Sequence, residues 1–397
     1  MIRRMPTAGT PLSLAETARG ILGFTEREKV IADFRSVLRH YLDVENLAVV
    51  NSGTTAFFIL LQLFKQLRSS ENRDEVILPA YTAPSLLLPI RAAGLKARLV
   101  DIDPDTFNMD INQLPSIISE RTLAVMPIHM FGLPCAVEPI LALAEHRGFF
   151  VVEDAASSLG TTIGGKQTGT IAPFGFYSLN RGKNISTMAG GIIVWKESRY
   201  KEKIEKLVAD LQTLPPHAQA IMTLKMIGLS LAVRPLFYSW LAPAISRFKY
   251  TTLHTHFDSF QFTTMQAGLG KTLWKRADDL TRRRQENGEA LTAIFRNKDG
   301  FTIPSIPAKA AVAFNQFPVV IHDPDRRKTL VDRLFARGIE TTYLYEKPLH
   351  HFFPELNPGG DAFPNATYFA EHLLLIPPHA QICPTIINKI RNAVESV

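Results

Sequence analysis

Between Phe149 and Trp195 the chain alternates short apolar runs with polar turns, and this stretch limits the possible folds most. Phe149 to Val152 are apolar and run into Glu153-Asp154. The pattern predicts a buried strand that delivers a carboxylate at its carboxyl end. Phe174 to Leu179 predicts a second strand, closing with Ser178, Asn180, Arg181 and Lys183. Gly190-Gly191 then open a third apolar run, Ile192 to Trp195. Runs this short suit strands buried on both faces better than helices.

The preceding residues repeat the alternation. Thr25 to Tyr41 has helical spacing, and Leu47 to Val50 reads as a strand. Asn51-Ser52-Gly53-Thr54-Thr55 then opens an apolar helix that runs through Leu67. Small residues at a helix start expose backbone N–H groups, so this turn is either an anion cradle or an ordinary N-cap. Strands follow at Glu75 to Leu78, Ala97 to Val100 and Leu123 to Ile128, with helices at Pro84 to Ala93 and Val137 to His146. Strands alternating with helices imply right-handed crossovers and a mostly parallel sheet with helices on both faces, a three-layer α/β fold. Sites gather at the carboxyl ends of such strands. Tyr81, His129, Asp154 and Ser178 occupy those positions. No strand is followed by G-x-G-x-x-G, which leaves a dinucleotide fold unsupported.

A carboxylate and a lysine on neighbouring strand ends suit pyridoxal phosphate. The lysine amine attaches the cofactor aldehyde, and a buried aspartate keeps the ring nitrogen protonated. Taken singly, each residue is more readily a surface lysine or a helix-capping aspartate.

Order along the chain decides between these readings. NSGTTA (Asn51 to Ala56), EVILPAYT (Glu75 to Thr82), AAGLKARLVDIDPDTFNMD (Ala92 to Asp110), MPIHMFG (Met126 to Gly132), VEDAASSLG (Val152 to Gly160) and SLNRGKNIST (Ser178 to Thr187) succeed one another. With these motifs the chain resembles the DegT/DnrJ/EryC1/StrS family of pyridoxal-phosphate-dependent sugar aminotransferases, from about Pro11 to Ala393. The resemblance implies a fold type I transferase with a smaller C-terminal α+β domain. It implies Lys183 and Asp154 as catalytic residues. It adds Gly53, Thr54, Thr55, Ser157, Ser178 and Asn184 around the cofactor, with the role of Asn184 open. It also implies a homodimer, a ketone on a nucleotide-linked sugar as substrate, and glutamate as amino donor. A histidine in place of Lys183 would instead favour sugar deoxygenation.

Several positions depart from the family pattern. The usual ring-stacking aromatic falls at Ala83, so Tyr81 and His129 become the candidates to cover the cofactor ring. The polar residue usual three positions after the aspartate is Ser157. The turn after the lysine reads Met188-Ala189-Gly190-Gly191 and lacks an acid. The segment that usually reaches the partner subunit reads Asp258-Ser259-Phe260-Gln261. These changes bear on the substrate more than on the cofactor. They also keep open a non-catalytic cofactor-binding or regulatory protein at a membrane surface.

Composition fits a globular enzyme. The 397 residues are 46% hydrophobic and 20% charged, with a net charge of +7 that favours an anionic cofactor or substrate. Cations are dispersed, so no nucleic-acid partner is expected, and Arg282-Arg283-Arg284 reads as a solvated helix face. Cys135 and Cys383 form neither a disulfide framework nor a metal-ligand cluster. The N-terminal stretch lacks an apolar signal core, so a cytoplasmic location is expected.

Residues 1–260 are expected to form the cofactor-binding domain, with an apolar helical insert at about 200–258, and residues 261–397 the smaller domain. A charged helix is expected from Lys201 to Leu214 and a long helix from Met265 to Phe295. Ala218 to Phe248 is far more apolar than its surroundings but is interrupted by Lys225, Arg234 and Pro235. It lacks the roughly 18-residue uncharged run of a membrane span. We expect two helices joined near Pro235, buried in the core or dimer, with peripheral membrane contact through 218–248 as the alternative.

Overall fold

A computed structural model describes residues 4–7, 12–69, 71–232, 253, 255, 257–357, 359–360 and 362–397. Its centre is a seven-stranded sheet. The strands are β1 (Asn46–Val50), β2 (Glu75–Pro79), β3 (Lys96–Val100), β4 (Thr122–Val125) and β5 (Phe150–Asp154). After a small hairpin of β6 (Thr162–Ile163) and β7 (Lys166–Gln167) come β8 (Phe174–Ser178) and β9 (Gly191–Trp195). The spatial order is β1-β9-β8-β5-β4-β2-β3. Pairs from β8 across to β3 are parallel, whereas β9 runs antiparallel to both β8 and β1.

Side chains alternate between two apolar layers, as the period of a strand requires. Ala48, Val50, Val76, Leu78 and Ile193 enter one core, while Leu47, Val49, Ile77, Ile192 and Val194 enter cores on the other face. Helices cover both faces, which makes the three-layer α/β sandwich expected. On the first face the core continues into a three-stranded antiparallel sheet of Phe301–Thr302, Phe317–Ile321 and Leu373–Ile376. Helices Pro324–Ala336 and Pro384–Glu395 pack together beside it, forming the smaller C-terminal α+β part.

Several elements differ from the sequence expectation. Helix α1 runs Leu14–Leu42, well before Thr25, because Ser13 and Glu16 form a reciprocal capping box. The long helix is two, Thr264–Leu273 and Ala277–Phe295, separated by a 3₁₀ turn in which Arg276 leaves helical angles (φ −120°, ψ 15°). The charged helix ends at Ala209. Arg282 and Arg283 are solvated and paired with Asp279 and Glu286, but Arg284 is buried. The expected insert begins with a single helix, Pro216–Ala232. The joint near Pro235 and the second helix lie outside the described residues. Among those described, no helix is long and apolar enough to cross a membrane.

Candidate active site

Helix α2 (Gly53–Leu67) begins against the carboxyl end of β8. Ser52 caps it, its Oγ accepting from the Thr55 N–H at 3.0 Å. A Cβ at Gly53 would sit 3.1 Å from Ser178 Cβ, and one at Gly191 only 2.1 Å from the Ser52 carbonyl oxygen. Glycine at both positions lets the helix start approach the strand ends closely. Ser52, Gly53, Thr54 and Ser178 therefore lie together, where α2 presents backbone N–H groups.

They line a cavity of about 430 Å³ together with Asp154, Ala156, Ser157 and Lys183. Asp154 is buried, and its Oδ1 accepts from the Ala156 N–H at 2.8 Å. Among the described residues, Oδ2 accepts no hydrogen bond. Burial raises the pKa of this carboxyl, opposed by the Ala156 N–H and by the charge of Lys183. Lys183 donates from Nζ to Ser157 Oγ at 2.9 Å. Although its side chain is only half-buried by surface exposure, loss of solvent lowers the pKa of its amine, with Asp154 opposing. The structure thus brings a nucleophilic amine, a buried carboxylate with a free oxygen, and a helix start into one cavity. A phosphorylated pyridine aldehyde needs this donor set.

Four residues singled out in the sequence lie elsewhere. The Thr55 N–H is taken by the cap, and Thr55 is buried. Neither proposed ring cover, Tyr81 or His129, lines the cavity. The Tyr81 hydroxyl donates to the carbonyl of Tyr345 at 3.2 Å, and its ring meets Phe369 edge-on. His129 Nδ1 accepts from the Cys135 N–H at 3.0 Å, so its Nε2 carries the proton and donates to Glu153 at 2.8 Å. Asn184 serves the backbone, donating to the carbonyls of Leu159 and Ala313 at 2.8 and 2.9 Å.

The cavity also has walls that sequence reasoning missed: Asn51, Asn180, Met130, Phe176, Asp258 and Tyr345. Tyr345 arrives from the C-terminal part just after Leu344, which is left-handed at φ 60°. Burial raises its phenol pKa, and the charge of Asp154 adds to the effect. Asn180 stood next to the lysine and could have been read. Nothing local marked Tyr345.

The family model for DegT/DnrJ/EryC1/StrS aminotransferases matches residues 22–395. The chain belongs to that family. It is therefore a pyridoxal-phosphate-dependent aminotransferase. A GDP-perosamine synthase from Caulobacter vibrioides is 26% identical over 372 residues, covering 93% of this chain and 90% of that protein. A GDP-4-keto-6-deoxy-D-mannose 3-dehydratase from Yersinia pseudotuberculosis is 32% identical, but over only 43% of this chain and 44% of its own. Among solved structures, PseC from Helicobacter pylori, an aminotransferase in pseudoaminic acid biosynthesis, superimposes with a TM-score of 0.78. That match has 20% identity and covers 99% of this chain and 98% of PseC. This last likeness establishes the shared fold.

Proposed function

We propose that this aminotransferase converts a ketone on a nucleotide-linked sugar to an amine, with glutamate as the donor. The observation that carries the reading is the convergence of Asp154, Lys183 and the α2 start on one cavity. Kinship with enzymes named for GDP-sugar chemistry supports the substrate class. Lysine at position 183 favours transamination over deoxygenation.

When bound, pyridoxal phosphate supplies an aldehyde that accepts an amino group and a ring that takes up electrons. The chain's own residues do the rest. The backbone N–H groups of Gly53 and Thr54, with Ser178, would hold the phosphate. Asp154 Oδ2 would accept from the protonated ring nitrogen and keep it charged. A cation there would favour the ionised carboxyl, offsetting the upward push of burial. Lys183 would hold the cofactor through its amine, and the same amine is placed to carry a proton to or from the substrate carbon that gains or loses nitrogen. Its lowered pKa increases the neutral, nucleophilic fraction. Ser157 orients that amine through its hydroxyl.

We further propose a homodimer with Ser259 to Gln261 at the subunit boundary, acting in the cytoplasm. Met265 to Leu280 share the apolar core beneath β1, β8 and β9. The test of function is a panel of nucleotide-linked ketosugars incubated with enzyme, cofactor and glutamate. The reading requires stoichiometric 2-oxoglutarate and amino sugar from at least one member. Turnover confined to ketones that carry no nucleotide would overturn the substrate class.

A further inference from the structure

Asp154, Lys183 and the start of α2 would hold three edges of a flat cofactor ring, but none of them covers its face. Position 83, where an aromatic would serve, is an alanine that lines the cavity with a methyl group. Three aromatic rings line the same cavity: Phe176, Phe257 and Tyr345. Two are engaged elsewhere. Phe176 is buried and stacks on Phe57 of α2, with centroids 5.4 Å apart and an interplanar angle of 20°. Phe257 meets Phe58 edge-on at 5.5 Å and is shared with a second cavity beside α2. Tyr345 differs. It is only partly buried, and it is tilted 58° from Tyr81 at 5.7 Å, so no ring stacks on either of its faces among the described residues. The charge of Asp154 reaches its phenol, which sets this ring near the carboxylate that would meet the ring nitrogen.

The turn that carries Tyr345 is held from several sides. Thr342 pairs with Leu375 of the C-terminal sheet through two backbone bonds, at 2.8 and 3.2 Å. Further on, the Leu349 N–H donates to the Ala80 carbonyl at 2.8 Å, just past β2. Between these anchors the buried Tyr81 hydroxyl reaches two carbonyls, that of Tyr343 at 3.4 Å and that of Tyr345 at 3.2 Å. Leu344 is left-handed at φ 60°, and its N–H donates to Thr342 Oγ1 at 3.2 Å. A leucine keeps such angles only where its surroundings over-determine them, and strain of this kind gathers at ligand clamps. Tyr81 thus acts on the cavity without lining it, by fixing the turn that presents Tyr345.

We propose that Tyr345 covers the face of the cofactor ring, supplying from the C-terminal part the aromatic that position 83 lacks. A flat phenol offers a flat pyridine the offset stacking that an aliphatic wall cannot. The test is titration of the full-length apoenzyme with pyridoxal phosphate, followed by the absorbance of the bound cofactor. No sugar or amino donor is present, so the result is independent of the substrate assignment. Tyr345→Leu keeps an apolar side chain but no ring, and should weaken binding about tenfold, whereas Tyr345→Phe should weaken it less than about twofold. Adding Ala83→Phe to Tyr345→Leu should restore most of the loss. In the wild-type chain, bound cofactor should protect Tyr345 from nitration by tetranitromethane, read by peptide mass mapping. Wild-type affinity in Tyr345→Leu overturns the proposal, as does nitration of Tyr345 undiminished by the cofactor. So does a Tyr345→Phe variant as weak as Tyr345→Leu, which would assign the effect to the hydroxyl.

Discussion

Asp154 and Glu153 are adjacent, equally buried and differently employed. Glu153 faces away from the cavity and is saturated by His129 and the N–H groups of Gly169 and Ala172. Asp154 faces the cavity and holds an oxygen in reserve. In a strand, neighbouring side chains take opposite faces, so only one of the pair could serve the site. Asp154→Asn should preserve the fold but lower kcat on the order of 10²-fold or more, since an amide cannot hold the ring nitrogen charged. Circular dichroism beside steady-state kinetics checks both halves. His379 offers a separate test at this scale. It is buried, donates from Nε2 to the Pro6 carbonyl at 2.9 Å, and burial lowers its pKa from 6.5 to about 4. The unfolded chain therefore binds this proton first as pH falls. His379 contributes its full stability above pH 6.5 and loses it between 6.5 and 4, a change of about 3 kcal/mol. Denaturant unfolding across that window should show His379→Gln losing about one proton of pH dependence.

At the scale of elements, the loop that bears the lysine is fastened from the C-terminal part. Asn315 donates to the Gly182 carbonyl at 2.8 Å and to Asn184 Oδ1 at 3.2 Å. The Asn315 carbonyl in turn accepts from Arg284 at 3.2 Å, and that of Phe314 at 2.9 Å. Arg284 is buried without a carboxylate partner among the described residues, and burial lowers its pKa to about 10. Helix Ala277–Phe295 thus holds the Lys183 turn through backbone carbonyls. Removing the amide in Asn315→Ala should cost about 0.5–1.5 kcal/mol of stability, the net range for a part-buried hydrogen bond. Thermal unfolding reads this directly, and slower cofactor reattachment to the apoenzyme should accompany it. Elements of this kind separate what the sequence reveals from what it hides. Asp154, Ser178 and the Gly53 turn were legible because each closes a strand or opens a helix, and Lys183 because it follows the Ser178 strand end in a local pattern. The Ser13–Glu16 capping box was equally local, and it carries α1 beyond the span that apolar spacing alone suggested. His129 and Tyr81 sat at the right strand ends, but which way a side chain leaves such an end depends on the turn that follows. Met130 and Phe131 bend that turn, with Phe131 left-handed at φ 59°. Tyr345 and Asn315 reach the site from far along the chain, and no periodicity announces such contacts.

Across the whole molecule, a parallel sheet gathers its strand ends on one edge, and the C-terminal part closes over that edge with Tyr345. The antiparallel β9 serves the same purpose, because its Gly191 lets the Ser52 turn lie against the sheet. Chain order and packing then converge on a single amine. Among the described residues, Lys183 is the one lysine that lines the cavity Asp154 enters. Borohydride reduction of the cofactor-loaded enzyme, followed by peptide mass mapping, tests that convergence most directly. The account predicts the pyridoxyl mass on the peptide containing Lys183 and no stable label in Lys183→Ala, which should also lack turnover. A label on another lysine with Lys183 unmodified, or turnover by Lys183→Ala at the wild-type rate, would contradict it.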